Sequence, residues 1–116
     1  MTLNEYALQS YNDNIKWWVD IETGLPIDRN VGELLMLIVT ELSEAFEGYR
    51  KDQMDKHLPN RLALEVELAD AFIRLFDFAG KHGLDIEGAY QEKRLYNARR
   101  IDHTHEARRL PGGKKF

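Results

Sequence analysis

No cysteine occurs in the 116 residues, which excludes a disulfide framework and a thiolate metal site. The absence fits a reducing compartment, and a cytoplasmic location is expected. No apolar run approaches the ~20 residues of a membrane span, so no membrane partner is expected. The opening Met1-Thr-Leu-Asn-Glu-Tyr6 has neither a basic n-region nor an apolar h-region, and no signal peptide is expected. Internal repeats, low-complexity tracts and a convincing strand pattern are also missing. What is present is a 43% hydrophobic content with two Trp, five Tyr and five Phe, which argues against disorder and for one small domain.

The net charge of −4 conceals an asymmetry. Residues 93–116 hold eight Lys or Arg against two acids, and residues 1–92 hold eight against eighteen. An acidic body joined to a basic end suggests a cation site next to an anion site, and the overall acidity argues against nucleic acid as a partner.

Hydrophobic spacing predicts an all-α chain of four helices. The first runs from Leu3 to about Val19, capped by Thr2 or Asn4 and rich in aromatics. A loop marked by Gly24 and Pro26 follows. The second helix starts at the N-cap Asn30, with Glu33 three residues on, and reaches Arg50. Val31, Leu34, Ile38, Leu42, Ala45 and Tyr49 form its expected core stripe. After a polar loop, Lys51 to Pro59, the third helix runs from Asn60 or Arg61 to His82, with Gly83 at C′. The fourth begins at Asp85 and reaches at least Arg100. Residues 1–101 are thus expected as one helical domain and 102–116 as a basic, irregular tail.

Two acidic pairs, Glu41/Glu44 and Glu67/Asp70, sit at i, i+3 spacing in the most apolar part of the chain. Each pair places its carboxylates on neighbouring turns of one helix face. The third helix is apolar almost all round, so burial on most sides is expected. Only a narrow seam of Glu67, Asp70, Arg74 and Asp77 is charged. Ion pairs of Arg74 with Glu67 or Asp70 along one exposed strip would account for that seam alone. The same placement of acids among apolar residues on two helices points to something positive that holds them, since buried carboxylates are costly unless paired. Four carboxylates with no His three or four residues away favour Mg²⁺ or Mn²⁺ over Zn²⁺. Lys93, Asn97 and Arg100, at i, i+4, i+7, share one face of the fourth helix and suit phosphate oxygens. Arg108, Arg109, Lys114 and Lys115 around Gly112-Gly113 offer a second anion-binding segment.

The ordered set Glu41-x-x-Glu44, 22 intervening residues, Glu67-x-x-Asp70, then Lys93-x-x-x-Asn97-x-x-Arg100 resembles the MazG-like all-α nucleoside triphosphate pyrophosphatases across about residues 30–100. The resemblance implies a four-helix bundle-like fold completed by dimerisation, as a homodimer or homotetramer. It also implies Mg²⁺-dependent hydrolysis of a (deoxy)nucleoside triphosphate to the monophosphate and pyrophosphate. Glu41, Glu44, Glu67 and Asp70 would then be the metal ligands, with Glu44 as general base. Lys93, Asn97 and Arg100 would contact phosphate. Around the first acidic pair many relatives have small residues where this chain has Leu-Leu-Met-Leu-Ile-Val-Thr, so base preference is left open. Trp17 and Trp18 would serve either as a nucleobase platform or, as paired Trp more often do, as core or subunit interface. Two other readings stand beside this one: a helical interaction module without catalysis, and a pyrophosphatase acting on phosphoribosyl-ATP.

Overall fold

Thr2 opens the first helix with a reciprocal capping box: its Oγ1 accepts from the Glu5 N–H at 3.1 Å, and the Glu5 carboxylate accepts from the Thr2 N–H at 3.1 Å. The computed structural model describes residues 1–100, 102 and 104–116. Ile101, where the helical domain was expected to end, and His103, in the expected tail, lie outside the described residues. Among the described residues all regular structure is helical: α1 Leu3–Asp13, a 3-10 turn Ile15–Trp18, α2 Val31–Arg50, α3 Ala63–Lys81, α4 Ile86–Arg99 and α5 His105–Arg109. The expected all-α class holds; extended pairing among them is limited to the isolated bridges Val19–Pro26 and Met54–Leu62. The chain forms two compact units, Met1–Leu84 and Asp85–Phe116. None of the helices is long and apolar enough to cross a membrane among the described residues.

The first helix stops short of Val19. The Asn14 N–H and its side-chain Nδ2 both donate to the Ser10 carbonyl, at 3.0 and 2.9 Å. An Asn side chain that competes for backbone acceptors closes the last turn. The chain then tightens into the 3-10 turn that carries Trp17 and Trp18. The second helix begins as predicted, with Asn30 Oδ1 accepting from the Glu33 N–H at 2.9 Å. The third starts at Ala63 rather than Asn60 or Arg61, because the preceding residues are held extended. The Asp55 N–H donates to the Arg61 carbonyl at 2.9 Å and the Ala63 N–H to the Gln53 carbonyl at 3.0 Å. It ends as expected: Gly83 has φ 62°, the Leu84 N–H reaches back to the Ala79 carbonyl at 3.0 Å, and the Gly83 N–H reaches the Gly80 carbonyl at 3.3 Å. This is the Schellman arrangement.

In the first unit α3 packs along both α1 and α2. Small residues set those contacts. A Cβ at Gly80 would overlap the Ala7 carbonyl oxygen and lie 2.8 Å from Tyr11 Cβ. Ala7, Ala45, Ala71 and Ala79 are buried with Leu34 and Trp18. The expected stripe of α2 is therefore only partly the core. Leu34 and Ala45 turn inward together with Glu41 and Gly48, whereas Val31, Leu42 and Tyr49 are exposed. With Leu35, Val39 and Phe46 they form an outward apolar band, up to 61% exposed at Phe46 and 69% at Tyr49. Likewise α3 is not buried all round: Leu68, Phe72 and Leu75 remain exposed.

In the second unit Asp85 caps α4, its Oδ1 accepting from the Gly88 N–H at 2.9 Å. Arg100 is the C-cap and leaves the helix in an extended conformation. The segment expected to be irregular contains α5, capped by Thr104 Oγ1 on the Ala107 N–H at 3.2 Å.

Candidate metal centre

The packed faces of α2 and α3 bring three of the four predicted acids together. Glu41, Glu67 and Asp70 each present a carboxylate oxygen within 4.8 Å of the others. Glu41 is buried among apolar neighbours of α2, and Glu67 and Asp70 are half-buried one turn apart on α3. Glu44 is exposed and stands outside this three-oxygen group, although it is close enough to Glu67 to affect its protonation. The donor set is all carboxylate oxygen, the chemistry that suits a hard divalent cation such as Mg²⁺ or Mn²⁺.

Arg74 counters part of this charge. Its Nε donates to Glu41 Oε1 at 2.8 Å. This pair joins α3 to α2, unlike the ion pairs within α3 that the i, i+4 spacing of Asp70 and Arg74 suggested. Burial pushes the Glu41 carboxyl up, but hydrogen bonding to Arg74 and to Glu67 outweighs it and holds the group below the usual carboxylate range. Glu67 goes the other way. Burial, then its hydrogen-bonded contacts with Glu41 and Glu44, push it up to about 8. Two like charges at 4.8 Å repel by about 3 kcal/mol at an effective dielectric of ~20, more than twice the free energy of one pKa unit. Asp70 is raised as well, by burial and then by the Glu41 charge, with Arg74 opposing. At neutral pH one guanidinium and one proton on Glu67 thus offset most, but not all, of the charge of the metal-free cluster.

A cleft of about 550 Å³ has Glu44 and Glu67 in its lining together with Lys56 and His57. The loop carrying the last two was anticipated only as polar. Asp55 Oδ2 shapes it, accepting from the N–H groups of His57 and Leu58 at 2.9 and 2.7 Å. Nothing in the local sequence except the Asp55 turn chemistry signals that a Lys and a His stand beside the acids.

The two tryptophans separate. Trp18 is 3% exposed, and its Nε1 donates to both oxygens of the buried Asp77, at 3.0 and 3.1 Å. That places it in the core rather than on a nucleobase. Trp17 is half-buried, with the Arg74 guanidinium 5.4 Å from its ring centroid. Asp77, the last member of the charged seam, faces inward; burial raises its carboxyl while the Trp18 hydrogen bond and the charges of Arg29, Arg74 and His82 oppose.

In the second unit Lys93 lies over Tyr96, with Nζ 4.7 Å from the ring centroid, and Asn97 Oδ1 is buried without a hydrogen-bond partner. Arg100 is not free: its Nε donates to Asp102 Oδ1 at 2.9 Å, and Lys114 Nζ pairs with the same carboxylate at 3.1 Å. This fork holds the Asp102 carboxyl far below its ordinary range. Arg108 donates to the backbone carbonyls of Lys114 and Lys115, so that guanidinium is used within the tail. No protein-family model, curated protein or solved structure matches the chain.

Proposed function

We propose that this chain is a Mg²⁺-dependent nucleotide pyrophosphohydrolase that cleaves the α–β bond of (deoxy)nucleoside triphosphates, as its resemblance to the MazG-like pyrophosphatases implies. The observation that carries the reading is the convergence of Glu41, Glu67 and Asp70 oxygens within 4.8 Å on two packed helices. These three residues would hold the cation, with Glu44 at the edge as a further ligand. Bound there, a divalent cation supplies Lewis acidity and charge neutralisation for the triphosphate. Glu44, exposed beside Glu67, is the proposed general base: it takes a proton from water as the water oxygen bonds to the α-phosphorus. The bond from the α-phosphorus to the bridging oxygen breaks, and pyrophosphate leaves with the electron pair. The resemblance would add Lys93, Asn97 and Arg100 as phosphate-binding groups, and Arg100 would then exchange Asp102 for phosphate.

Assembly as a homodimer or homotetramer belongs to the same proposal. The outward apolar band of α2 and the exposed Phe72 of α3 support it, since a chain whose buried apolar residues, among those described, are four Ala, one Leu and one Trp has little core of its own. The same band favours one alternative, a helical interaction module without catalysis. Incubation with a panel of NTPs and dNTPs, with and without Mg²⁺, tests the enzyme reading. Pyrophosphate and monophosphate are the expected products, and release of orthophosphate alone would exclude α–β cleavage. Glu41→Ala with Asp70→Ala separates the two readings. The enzyme loses metal binding and turnover but keeps its assembly, whereas a module assembled through the band has no metal binding or turnover to lose and a module assembled through the charged seam of α3 loses assembly whatever the metal.

A further inference from the structure

Arg74 occupies a position between two acidic environments of different kind. On one side it donates through Nε to Glu41, one of the three converging carboxylates, at 2.8 Å. Among the described residues this is its one hydrogen bond, so most donors of the guanidinium have no protein acceptor. On the other side, one turn along α3, stands Asp77. It is 3% exposed, and its hydrogen bonds among the described residues come from Trp18 Nε1 alone, with no cation within ion-pair distance. Arg74, Asp77, Arg29 and Trp17 line one narrow pocket of about 10 Å³, too small to admit a hydrated ion. The guanidinium lies over the Trp17 ring at the same place.

We infer that Arg74 is an exchangeable counter-cation: it neutralises Glu41 while the acidic cluster is metal-free, and on metal binding it releases Glu41 and turns toward Asp77. This rests on the metal reading proposed above. A guanidinium and a divalent cation on the same carboxylate repel one another strongly in a half-buried site. Arg74 can leave at low cost because Asp77, a buried carboxylate without an ion pair among the described residues, stands one turn away. The pocket at Asp77 is closed to a hydrated ion, whereas the Arg74 side chain already forms part of its wall and can turn toward Asp77 without entering from solvent. Arg29 shares that wall and lies over the Trp18 ring, 5.6 Å from its centroid, but Arg74 is the arginine that a cation at Glu41 would displace. Trp17 holds the guanidinium face in the metal-free position through a cation–π contact, and a turn toward Asp77 alters that contact. Arg74 is thus a residue that sets metal affinity through Glu41 and does not itself bind the ion.

The test measures Mn²⁺ affinity, by electron paramagnetic resonance of the free ion, for the full-length wild type, Arg74→Met, Asp77→Asn and the double variant at one pH. Methionine keeps much of the aliphatic bulk of arginine, and the amide introduced by Asp77→Asn retains an acceptor for Trp18. Arg74→Met is expected to bind Mn²⁺ about tenfold more tightly, equivalent to about 1.4 kcal/mol. Asp77→Asn removes the alternative position and is expected to weaken binding severalfold, and to do nothing further in the Arg74→Met background. That sign pattern is one a merely structural role would not produce. Unchanged or weaker binding by Arg74→Met, with the wild type binding normally, would overturn the exchange and leave the metal reading standing. Absence of Mn²⁺ binding in every protein would remove both. Should Arg74→Met fail to fold, wild-type Trp17 fluorescence decides, with diamagnetic Mg²⁺ in place of Mn²⁺: it must change as Mg²⁺ saturates the site, and Trp17→Phe must abolish the change. Constant emission at saturation would overturn the exchange.

Discussion

The proton on Glu67 makes the metal-free protein less stable as pH rises. Its carboxyl titrates at about 8 in the fold against an ordinary value of 4.5. The folded state therefore binds more protons than the unfolded chain between those values, and stability falls with pH across the interval. The contribution is complete below about 4.5 and lost above about 8. Asp70 and Asp77 are also raised and act in the same direction, from a lower starting value of 3.8. Glu41 is lowered, so its contribution is present above 4.5 and is lost only as pH falls through its depressed value. The window between 4.5 and 8 is the one Glu67 spans, and comparison with Glu67→Gln isolates its share.

A shift of this size corresponds to about 1.4 kcal/mol per pKa unit if fully expressed, but solvent screening of a half-buried group reduces the total to ~1–2 kcal/mol. The assay is urea unfolding in the presence of a chelator at about pH 5.5 and about pH 8.5, one well inside the interval and one above it. The wild type is expected to lose that amount between the two conditions. Glu67→Gln, which mimics the protonated carboxyl, should change much less and be the more stable protein at the higher pH. Saturating Mg²⁺ should reverse the wild-type trend, because the cation takes the place of the proton. Equal pH slopes for wild type and Glu67→Gln would show that the three carboxylates do not share a proton, and the picture of a converged cluster would fail with it.

Three further outcomes follow from the packing. Gly80→Ala forces a Cβ onto the Ala7 carbonyl oxygen and is expected to cost about 1–3 kcal/mol in urea unfolding; a loss under ~0.5 kcal/mol would mean that α1 does not approach α3 so closely. Trp18→Phe leaves the Asp77 carboxylate without its indole donor and is expected to cost about 2 kcal/mol, with Asp77→Asn in the same chain recovering part of it; full additivity would argue against the bond. Phe46→Lys lies on a surface 61% exposed in the single chain, so helicity by circular dichroism should be unchanged while the mass by light scattering falls to that of a monomer; an unaltered mass would place the subunit contact elsewhere.

The helices were legible because their ends carry local chemistry. Asn30 with Glu33, Asp85 three residues before Gly88, and Gly83 after a long apolar run each act within one turn. The early stop at Asn14 is local as well, but the aromatic spacing that continues to Trp18 obscured it. The direction in which each apolar face points was less legible. On α2 the period of about 3.6 residues places both Leu34 and Leu42 among apolar neighbours. Periodicity does not show which side meets α3. That choice depends on Gly48 and Ala45 allowing close approach, with a Cβ at Gly48 only 2.8 Å from Ala63 Cβ. The wide apolar surface of α2 therefore read as one core stripe, although it contains an inward seam and an outward band.

The acidic pairs show the same limit at the level of charge. Spacing of i, i+3 establishes that Glu67 and Asp70 share a face of α3, and that conclusion needs no partner helix. That Glu41 joins them and Glu44 stays outside depends on the rotation of α2, which the two pairs do not encode. Arg74 is the sharper example. Within α3 its natural partner is Asp70 at i, i+4, an exposed pair worth about 0.3–0.5 kcal/mol. Its actual partner is the more buried Glu41, where burial raises the cost of leaving either charge alone. Asp77, one turn further along α3, accepts from the Trp18 indole instead, across 59 residues of sequence. Both contacts join residues on different elements, so no spacing rule applied to one helix at a time could assign either of them.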